Sequence, residues 1–249
     1  MPNISLVIPC YNEEKNIQTG SLDKIAHFVN HDDQINEVII VDDGSSDDSV
    51  KLIKKDYLSE YPKFKLIQNN HGGKAMAVTA GFIEAKGEYV LFTDFDLAVP
   101  IEEISKLKSE LEKDDLDVVF GSRGSHREGA PLIRKIMAIG MIVLRKMIIG
   151  LDVKDTQCGF KMFRREVFLK IIKKMKVYGG EIRRKGPSVS AGWDVELLFL
   201  SRKMGYKVKE IEVIWRHVDT KRVNFVTDSI EALRGLISIR INDMKGLYD

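Results

Sequence analysis

The chain has 249 residues, of which 44% are hydrophobic and 31% charged, values ordinary for a globular protein with a sizeable core. Its two cysteines, Cys10 and Cys158, are too few for a disulfide framework and fit a reducing compartment. The N-terminus has no signal-peptide pattern, and no apolar run of about 18 residues predicts a membrane span. We therefore expect a cytoplasmic protein rather than a secreted or integral membrane protein.

The net charge of +2 is unevenly distributed along the chain. Residues 1–117 contain 12 Lys and Arg against 23 Asp and Glu, whereas residues 134–185 contain 15 against 4. A basic segment of this kind predicts a polyanionic partner. It lacks the interleaved aromatic residues of a single-strand nucleic-acid platform, so we expect no nucleic acid. A membrane surface or a lipid phosphate fits better, and a merely solvated face is the alternative.

The first half alternates apolar runs with helical stretches, which predicts an α/β fold: a mostly parallel central sheet with helices on both faces. Five runs predict strands, at residues 4–8, 38–41, 64–67, 89–92 and 117–120. We expect one helix from about residue 15 to residue 30 and another that begins after Gly72-Gly73. The alternation within residues 206–215 predicts a late strand.

Aromatic and acidic side chains follow three of the predicted strands. In chain order they are Tyr11 and Glu13, Asp42 and Asp43, and Asp94 and Asp96. Since parallel strands end at one edge of a sheet, we expect these groups to converge there. Two carboxylates suit a hard divalent ion that shares its other contacts with water and phosphate, so the edge fits a nucleotide diphosphate. A solvated turn is the alternative for Asp94 and Asp96.

Two other phosphate-binding patterns do not fit the sequence. No G-x-G-x-x-G follows the first strand, where Pro9 would prevent the tight glycine turn. Gly72-Gly73-Lys74-Ala75 lacks the upstream glycine and the Ser or Thr of a P-loop. Lys74 can still reach a phosphate, and a solvated lysine after a glycine turn is the alternative.

Six motifs occur in a defined order along the chain. They are V-I-P-C-Y-N-E-E, V-D-D-G-S-S-D, D-F-D, G-S-R, D-T-Q-C-G-F-K and W-D-V-E-L-L. Together, over about residues 3–225, they resemble family 2 glycosyltransferases of the GT-A (nucleotide-diphospho-sugar transferase) fold. The later motifs are similar to the polyprenyl-phosphate sugar transferases, especially the dolichyl-phosphate β-glucosyltransferase branch. The resemblance implies a single domain over 1–249, with a nucleotide-binding half at 1–123 and an acceptor half at 124–249.

The resemblance also implies roles for the matching residues. The nucleotide sugar would be bound by Pro9, Tyr11, Glu13, Val41, Asp43, Lys74 and Phe95. Asp94 and Asp96 would lie against the diphosphate and bind Mg2+ or Mn2+, with Asp96 the principal ligand. The phosphates of donor or acceptor would face Arg123, Arg134 and Lys221. Asp155 and Asp194 complete the implied catalytic set.

The implied reaction is an inverting transfer of a hexose from UDP-glucose, or secondly GDP-mannose, to a polyprenyl or dolichyl phosphate. A lipid phosphate is ionised near neutral pH and needs no strong base, so Asp155 and Asp194 would position groups. Transfer to a saccharide hydroxyl would instead use Asp194 or Glu196 as the base, and only one of these can face the site. A non-catalytic nucleotide-sugar sensor is a further alternative.

Two departures from the mannose synthase pattern favour the glucosyl branch. Ala98 stands where those enzymes usually have Gln, which leaves a third side-chain metal ligand in doubt. Trp215 stands where they have Arg.

Residues 131–150 predict an amphipathic helix that binds the membrane surface peripherally, at its cytoplasmic face. Basic pairs at 134–135 and 145–146 lie about three helical turns apart and so share one face. The apolar stretch between them is too short to span a bilayer of about 30 Å. Such a helix suits the lipid headgroup layer, and a buried core helix is the alternative.

Overall fold

Short apolar segments pair into one sheet of seven strands. The computed structural model describes residues 3–124, 132–178, 192–216 and 225–249, with the side chains of all of these except 132–138 and 225–229. The strands are β1 (Ile4–Cys10), β2 (Ile35–Asp42), β3 (Phe64–Gln68), β4 (Tyr89–Thr93), β5 (Val118–Ser122), β6 (Phe160–Arg164) and β7 (Val208–Glu212). They lie in the order β3-β2-β1-β4-β6-β5-β7, and β6 is antiparallel to both of its neighbours.

The predicted mostly parallel sheet is confirmed, and the predicted strands correspond to β1–β5 and β7. Strand β6 was missed. Its sequence, Phe160-Lys161-Met162-Phe163-Arg164, places a lysine among the apolar residues and gives no continuous apolar run. That lysine is nevertheless fully buried, so the burial of β6 could not be read from its hydrophobic pattern.

The helices cover both faces of the sheet. They are α1 (Glu14–Gln18), α2 (Ser21–Asn30), α3 (Ser49–Leu52), α4 (Lys74–Glu84), α5 (Ile104–Lys113), α6 (Leu132–Ile149), α7 (Arg165–Lys174), α8 (Trp193–Lys203) and α9 (Phe225–Met244). A π turn, Ile53–Tyr57, continues α3, and a 3-10 turn, Ile101–Glu103, precedes α5. The prediction of one helix over residues 15–30 is wrong, because Gly20 has a φ of 83° and separates α1 from α2.

Alternating side chains of the strands fill two cores, one on each side of the sheet. On β1, Leu6 points into the core that contains α2 and α5. Its neighbour Val7 points into the core that contains α4, α7 and α8. The predicted α/β arrangement, with helices on both faces, is therefore confirmed.

The topology brings several loops to the edge at which the parallel strands end. Loops leave β1, β2, β4 and β5 at this edge, as expected from their parallel pairing. Because β6 runs in the opposite direction, its first residue, Phe160, pairs with Thr93 at the end of β4. Residues 155–159, which precede β6, therefore lie beside the D-F-D turn that follows β4.

Helix α6 occupies most of the predicted segment 131–150, but Arg145, one of the residues expected in its basic surface stripe, is buried. The Arg145 side chain is only 6% exposed and donates hydrogen bonds to the Val153 carbonyl oxygen and to Thr156 Oγ1. Periodicity predicted a face shared by the basic residues but not the direction of that face. The loop after α6 folds back onto Arg145 and buries it.

Three apolar side chains of α6 are exposed, Ile139, Val143 and Met147, at 61%, 49% and 77%. Among the described residues, no helix is both long enough and apolar enough to cross a membrane.

Candidate active site

The turn after β4 presents two carboxylates at the edge of the sheet. Asp94 and Asp96 flank Phe95, whose side chain is buried in the core and can serve the site only through its backbone. Leu97 has a φ of 50°, a left-handed conformation uncommon for a residue with a branched side chain. In this turn the backbone N–H of Ala98 donates to Asp96 Oδ1 at 3.0 Å.

The ammonium of Lys74, the first residue of α4, binds Asp94 Oδ1 directly. It also lies 5.5 Å from the centroid of the Phe92 ring. Partial burial favours the neutral amine, but three carboxylates outweigh this effect and raise the pKa of Lys74: those of Asp94, Asp194 and Asp96. Lys74 is therefore a firmly charged cation that faces all three acids.

Asp43 holds the turn that precedes α4. Its buried carboxylate accepts hydrogen bonds from the backbone N–H groups of Gly72 and Gly73, both at 2.8 Å. The ring nitrogen Nδ1 of His71 lies 2.8 Å from Oδ2 of the same carboxylate. Asp43 thus fixes the glycine turn and, through it, the position of Lys74.

Tyr11 and His71 form an aromatic stack at this edge, with ring centroids 4.4 Å apart and an interplanar angle of 23°. His71 lies in a loop, and its contacts with Tyr11 and Asp43 make it part of the site. Stacked planar rings offer the kind of surface against which a nucleobase packs.

The remaining predicted nucleotide contacts lie in or near the first two strands. Pro9 and Val41 are neighbours in the register of β1 and β2. Val41 is fully buried, so it reaches the edge only through its backbone. The backbone N–H of Glu13 donates to Ser49 Oγ at 2.8 Å, and its carboxylate accepts from Asn16 Nδ2 at 2.5 Å. These bonds hold the loop after β1 against the loop after β2.

Asp155 is the centre of a dense hydrogen-bond network. The Arg123 guanidinium donates to both of its oxygens, at 2.6 and 2.8 Å, and the backbone N–H groups of Arg123 and Gln157 add bonds of 3.1 Å each. Glu210 in turn accepts from the Asp155 N–H at 2.7 Å. The guanidinium also lies 6.0 Å from the Trp215 ring centroid. Burial lowers the pKa of Arg123, but the bond and charge of Asp155 outweigh this and raise it.

Arg123 can therefore meet a phosphate only with the part of its guanidinium that Asp155 leaves open. In this arrangement Asp155 acts as a positioning residue.

Lys161 in β6 is fully buried and pairs with Asp194, near the start of α8, at 2.6 Å. It also donates to the Cys158 carbonyl oxygen at 2.5 Å and lies 5.2 Å from the centroid of the Phe92 ring. An uncompensated buried charge costs several kcal/mol, so this pairing holds the Asp194 carboxylate in place.

Glu196 faces away from this site, into a separate group of donors. Its buried carboxylate accepts hydrogen bonds from the backbone N–H groups of residues 176–178, at 2.8–3.0 Å, and from the Tyr248 hydroxyl at 2.7 Å. The expectation that Asp194 and Glu196 cannot face the same way is confirmed. Glu196 anchors the chain on both sides of α8 and is not placed to act as a base.

Gly159 permits a close approach between the segment before β6 and Asp94. A Cβ at this position would lie 2.0 Å from Asp94 Oδ2, so no other residue fits without displacing the carboxylate. Its neighbour Cys158 is buried, and burial raises the pKa of the thiol to about 12. Cys158 is therefore a small buried residue and no nucleophile.

The structure brings most of the predicted site residues together at one edge, and it adds residues that sequence reasoning did not single out. The additions are Gly159, Lys161, His71 and Glu210. The only available signal was that Gly159 and Lys161 lie inside the C-G-F-K motif. Two predicted phosphate contacts, Lys221 and the side chain of Arg134, lie outside the described residues.

Comparison with known proteins gives this edge a chemical context. The profile of the family described as glycosyl transferase family 2 matches residues 5–172. The chain belongs to this family. It is 31% identical to a dolichyl-phosphate β-glucosyltransferase of Saccharomyces cerevisiae, over 98% of this chain and 76% of that protein. It is 32% identical to another of Trichomonas vaginalis, over 98% of this chain and 75% of that protein. The chain is therefore a glycosyltransferase, as the motifs predicted.

Among solved structures, the fold is similar to glucosyl-3-phosphoglycerate synthase of Mycobacterium tuberculosis. The TM-score is 0.67 at 17% sequence identity, over 96% of this chain and 80% of that one. That protein has been solved with UDP and with Mg2+ or Mn2+. The predicted GT-A fold is thereby confirmed.

The contact at Gly159 predicts opposite effects of alanine at two glycines. Gly159→Ala should lower the free energy of unfolding by about 1–3 kcal/mol, because the methyl group overlaps Asp94. Gly140→Ala is the matched control: it lies in α6 with nothing within 4 Å of the added Cβ, and should raise stability by up to about 1 kcal/mol. Urea unfolding measures both. Adding Asp94→Ala should recover stability in the Gly159 variant, and no recovery would show that the overlap lies elsewhere.

Proposed function

We propose that this chain transfers glucose from UDP-glucose to a dolichyl or related polyprenyl phosphate, with inversion at the anomeric carbon. The main support is its similarity, over 98% of its length, to proteins named dolichyl-phosphate β-glucosyltransferase. Ala98 and Trp215, the two departures from the mannose synthase pattern, favour the same branch.

The donor nucleotide would lie across the loops that follow β1, β2 and β4. The stack of Tyr11 and His71 offers a planar surface to the base. Lys74 adds a positive charge beside the first turn of α4, where the helix dipole also favours an anion. UDP bound to the related M. tuberculosis enzyme supports this assignment.

Asp94 and Asp96 fit Mg2+ or Mn2+, because carboxylate oxygens are the hard ligands that these ions prefer. Over the described part of the chain, no group of three or more His, Cys, Asp or Glu side chains is arranged to hold a metal ion. The remaining ligands would therefore be diphosphate oxygens and water. When bound, the ion would neutralise negative charge on the departing diphosphate.

The pair formed by Lys161 and Asp194 favours a phosphate acceptor over a hydroxyl acceptor. A hydroxyl has to lose a proton as it attacks, and Asp194 would have to accept it. Its carboxylate is instead bound to a buried ammonium at 2.6 Å, which already occupies one of its oxygens. A lipid phosphate is already ionised near neutral pH. One of its oxygens can bond to the anomeric carbon as the bond to UDP breaks, with no base required.

The direct test offers the purified protein labelled UDP-glucose or labelled GDP-mannose, each with a polyprenyl phosphate and Mn2+. We expect a lipid-soluble labelled product with UDP-glucose. Product with GDP-mannose alone would replace the glucosyl assignment by a mannosyl one. Label that appears only on an added saccharide would favour the hydroxyl acceptor. Donor binding with neither transfer nor hydrolysis would favour a nucleotide-sugar sensor.

The acceptor class also predicts a mild effect of Asp194→Asn. The amide oxygen can still accept a hydrogen bond from Lys161, so we expect kcat within about 10-fold of the parent, whereas loss of a general base costs about 10²- to 10⁴-fold. Asp152→Asn, at an exposed ion pair with Lys146, is the matched control. Melting temperatures verify that each variant is folded. A 10³-fold fall in kcat for a folded Asp194→Asn protein would contradict the phosphate acceptor.

We also infer that the protein binds the membrane through an apolar face formed by α6 and α9, which pack against each other. On α6 this face consists of Ile139, Val143 and Met147; on α9 it consists of Ile230, Leu233, Ile237, Ile241 and Met244. The members recur every three or four residues, so each helix presents one apolar stripe. Eight exposed apolar side chains on two helices that pack together indicate a binding surface.

Basic side chains border the apolar face. Arg234 and Arg240 are exposed on α9, Lys245 is exposed directly after it, and Lys146 is exposed on α6. Long basic side chains that flank an apolar stripe suit a lipid surface, where the apolar side chains enter the acyl boundary and the charges meet anionic headgroups. We therefore assign this face to an anionic lipid leaflet.

We expect replacement of Ile139, Val143, Ile237 and Ile241 by serine to weaken binding to phosphatidylserine-containing vesicles by at least about 10-fold. Each isoleucine or valine that becomes buried in the lipid contributes about 1.5–3 kcal/mol to binding. Ile83→Ser is the control, since Ile83 is 49% exposed on α4, outside the apolar face. Vesicle sedimentation measures binding, which should also weaken at high salt. A parent protein that is dimeric and ignores vesicles would assign the face to a second copy.

A further inference from the structure

One carboxylate oxygen of Asp94 is bound by a cation, and the other packs against Gly159. Oδ1 is bound by the Lys74 ammonium. Oδ2 lies so close to Gly159 that a Cβ there would be 2.0 Å away. A metal ion that approaches Asp94 therefore competes with Lys74 for Oδ1, because two cations cannot share one oxygen at contact distance without strong repulsion.

The backbone of Lys74 is fixed, while its side chain is long enough to move. The two glycines before it donate to the Asp43 carboxylate at 2.8 Å, which holds the start of α4 in place. Four methylene groups separate that backbone from the ammonium, and the side chain is 29% exposed. The ammonium can thus swing away from Asp94 without any movement of α4.

A nucleoside diphosphate supplies the alternative partner for this ammonium. Lys74 faces three carboxylates, so it will leave Asp94 only for a group of comparable negative charge. A diphosphate at the start of α4 is such a group, and it is favoured there by the helix dipole. Once the ammonium binds phosphate, Asp94 Oδ1 becomes available to a divalent ion.

We propose that Lys74 is an exchangeable cation that blocks metal binding at Asp94 until a nucleoside diphosphate draws its ammonium away. This inference rests on the proposed function, because it requires that a nucleotide and a metal ion share this edge. Linkage then makes the coupling reciprocal: the nucleotide raises metal affinity, and the metal raises nucleotide affinity by the same factor.

The test measures Mn2+ binding by electron paramagnetic resonance of the uncomplexed ion, with and without saturating UDP. For the parent protein we expect Mn2+ affinity to rise with UDP by a factor near the upper end of about 5–150-fold. Lys74→Met should raise the Mn2+ affinity measured without UDP by about 10-fold, since a single competing contact of about 1.4 kcal/mol is removed. Lys74→Arg keeps the cation and should behave like the parent. Lys74→Gln gives the same measurement as Lys74→Met if the methionine variant is unstable.

A double-mutant cycle separates competition at Asp94 from a general effect of the lysine charge. In an Asp94→Asn background, Lys74→Met should leave Mn2+ affinity within about 2-fold, because the contested oxygen no longer bears the charge. An equal gain in both backgrounds, or no gain with Lys74→Met alone, would overturn the proposal while leaving the proposed function intact. A parent protein that binds neither UDP nor Mn2+ would overturn both.

Discussion

The buried ammonium of Lys161 constrains this site more than any other single group. It is inaccessible to water, and without a partner it would cost several kcal/mol. Asp194 neutralises it at 2.6 Å, which ties β6 to the first turn of α8. Because β6 is inserted antiparallel between β4 and β5, the same lysine lies beside Phe92, near the end of β4. One ion pair thus links the inserted strand β6, the start of α8 and the charge of the site.

The same rule of paired charge extends along the edge. Four carboxylates that converge there each have a donor: Asp43 has the glycine N–H groups, Asp94 has Lys74, Asp155 has Arg123 and Asp194 has Lys161. Four uncompensated acids so close together would repel one another strongly. The pairing makes the cluster stable, and it also means that an arriving anion must compete for cations that are already in use. An anion therefore binds at this edge by replacing a carboxylate as the partner of a cation, rather than by binding to an unpaired cation.

The sequence predicted those features that depend on hydrophobic pattern and chain direction. Apolar runs predicted β1–β5, and the shared edge of parallel strands predicted that Tyr11, Asp43 and Asp94 lie together. Features that depend on contacts between residues far apart in sequence could not be predicted. Strand β6 contains a buried lysine, so its sequence resembles that of an exposed segment. Gly159 is required only because Asp94, far away in sequence, packs against it.

Side-chain direction was the other source of error. Val41 and Phe95 belong to motifs of the site, yet both side chains lie in the core. Arg145 is one of the basic residues that periodicity assigned to a surface stripe, but its side chain turns toward the loop after the helix. Periodicity tells which residues are neighbours, and only packing decides which way they point.

The buried side chain of Arg145 connects the apolar face to the catalytic edge. A helix that needed only to pack could use an apolar residue at this position at lower cost, since the guanidinium must be desolvated. Arg145 instead binds Val153 and Thr156, on either side of Asp155, the residue that holds Arg123. The segment between α6 and β6 is thus held at one end by the helix and at the other by the site. The proposed acceptor has an apolar chain and an anionic head. These bonds set a fixed distance between the apolar face, which would bind the chain, and the catalytic edge, which would bind the head.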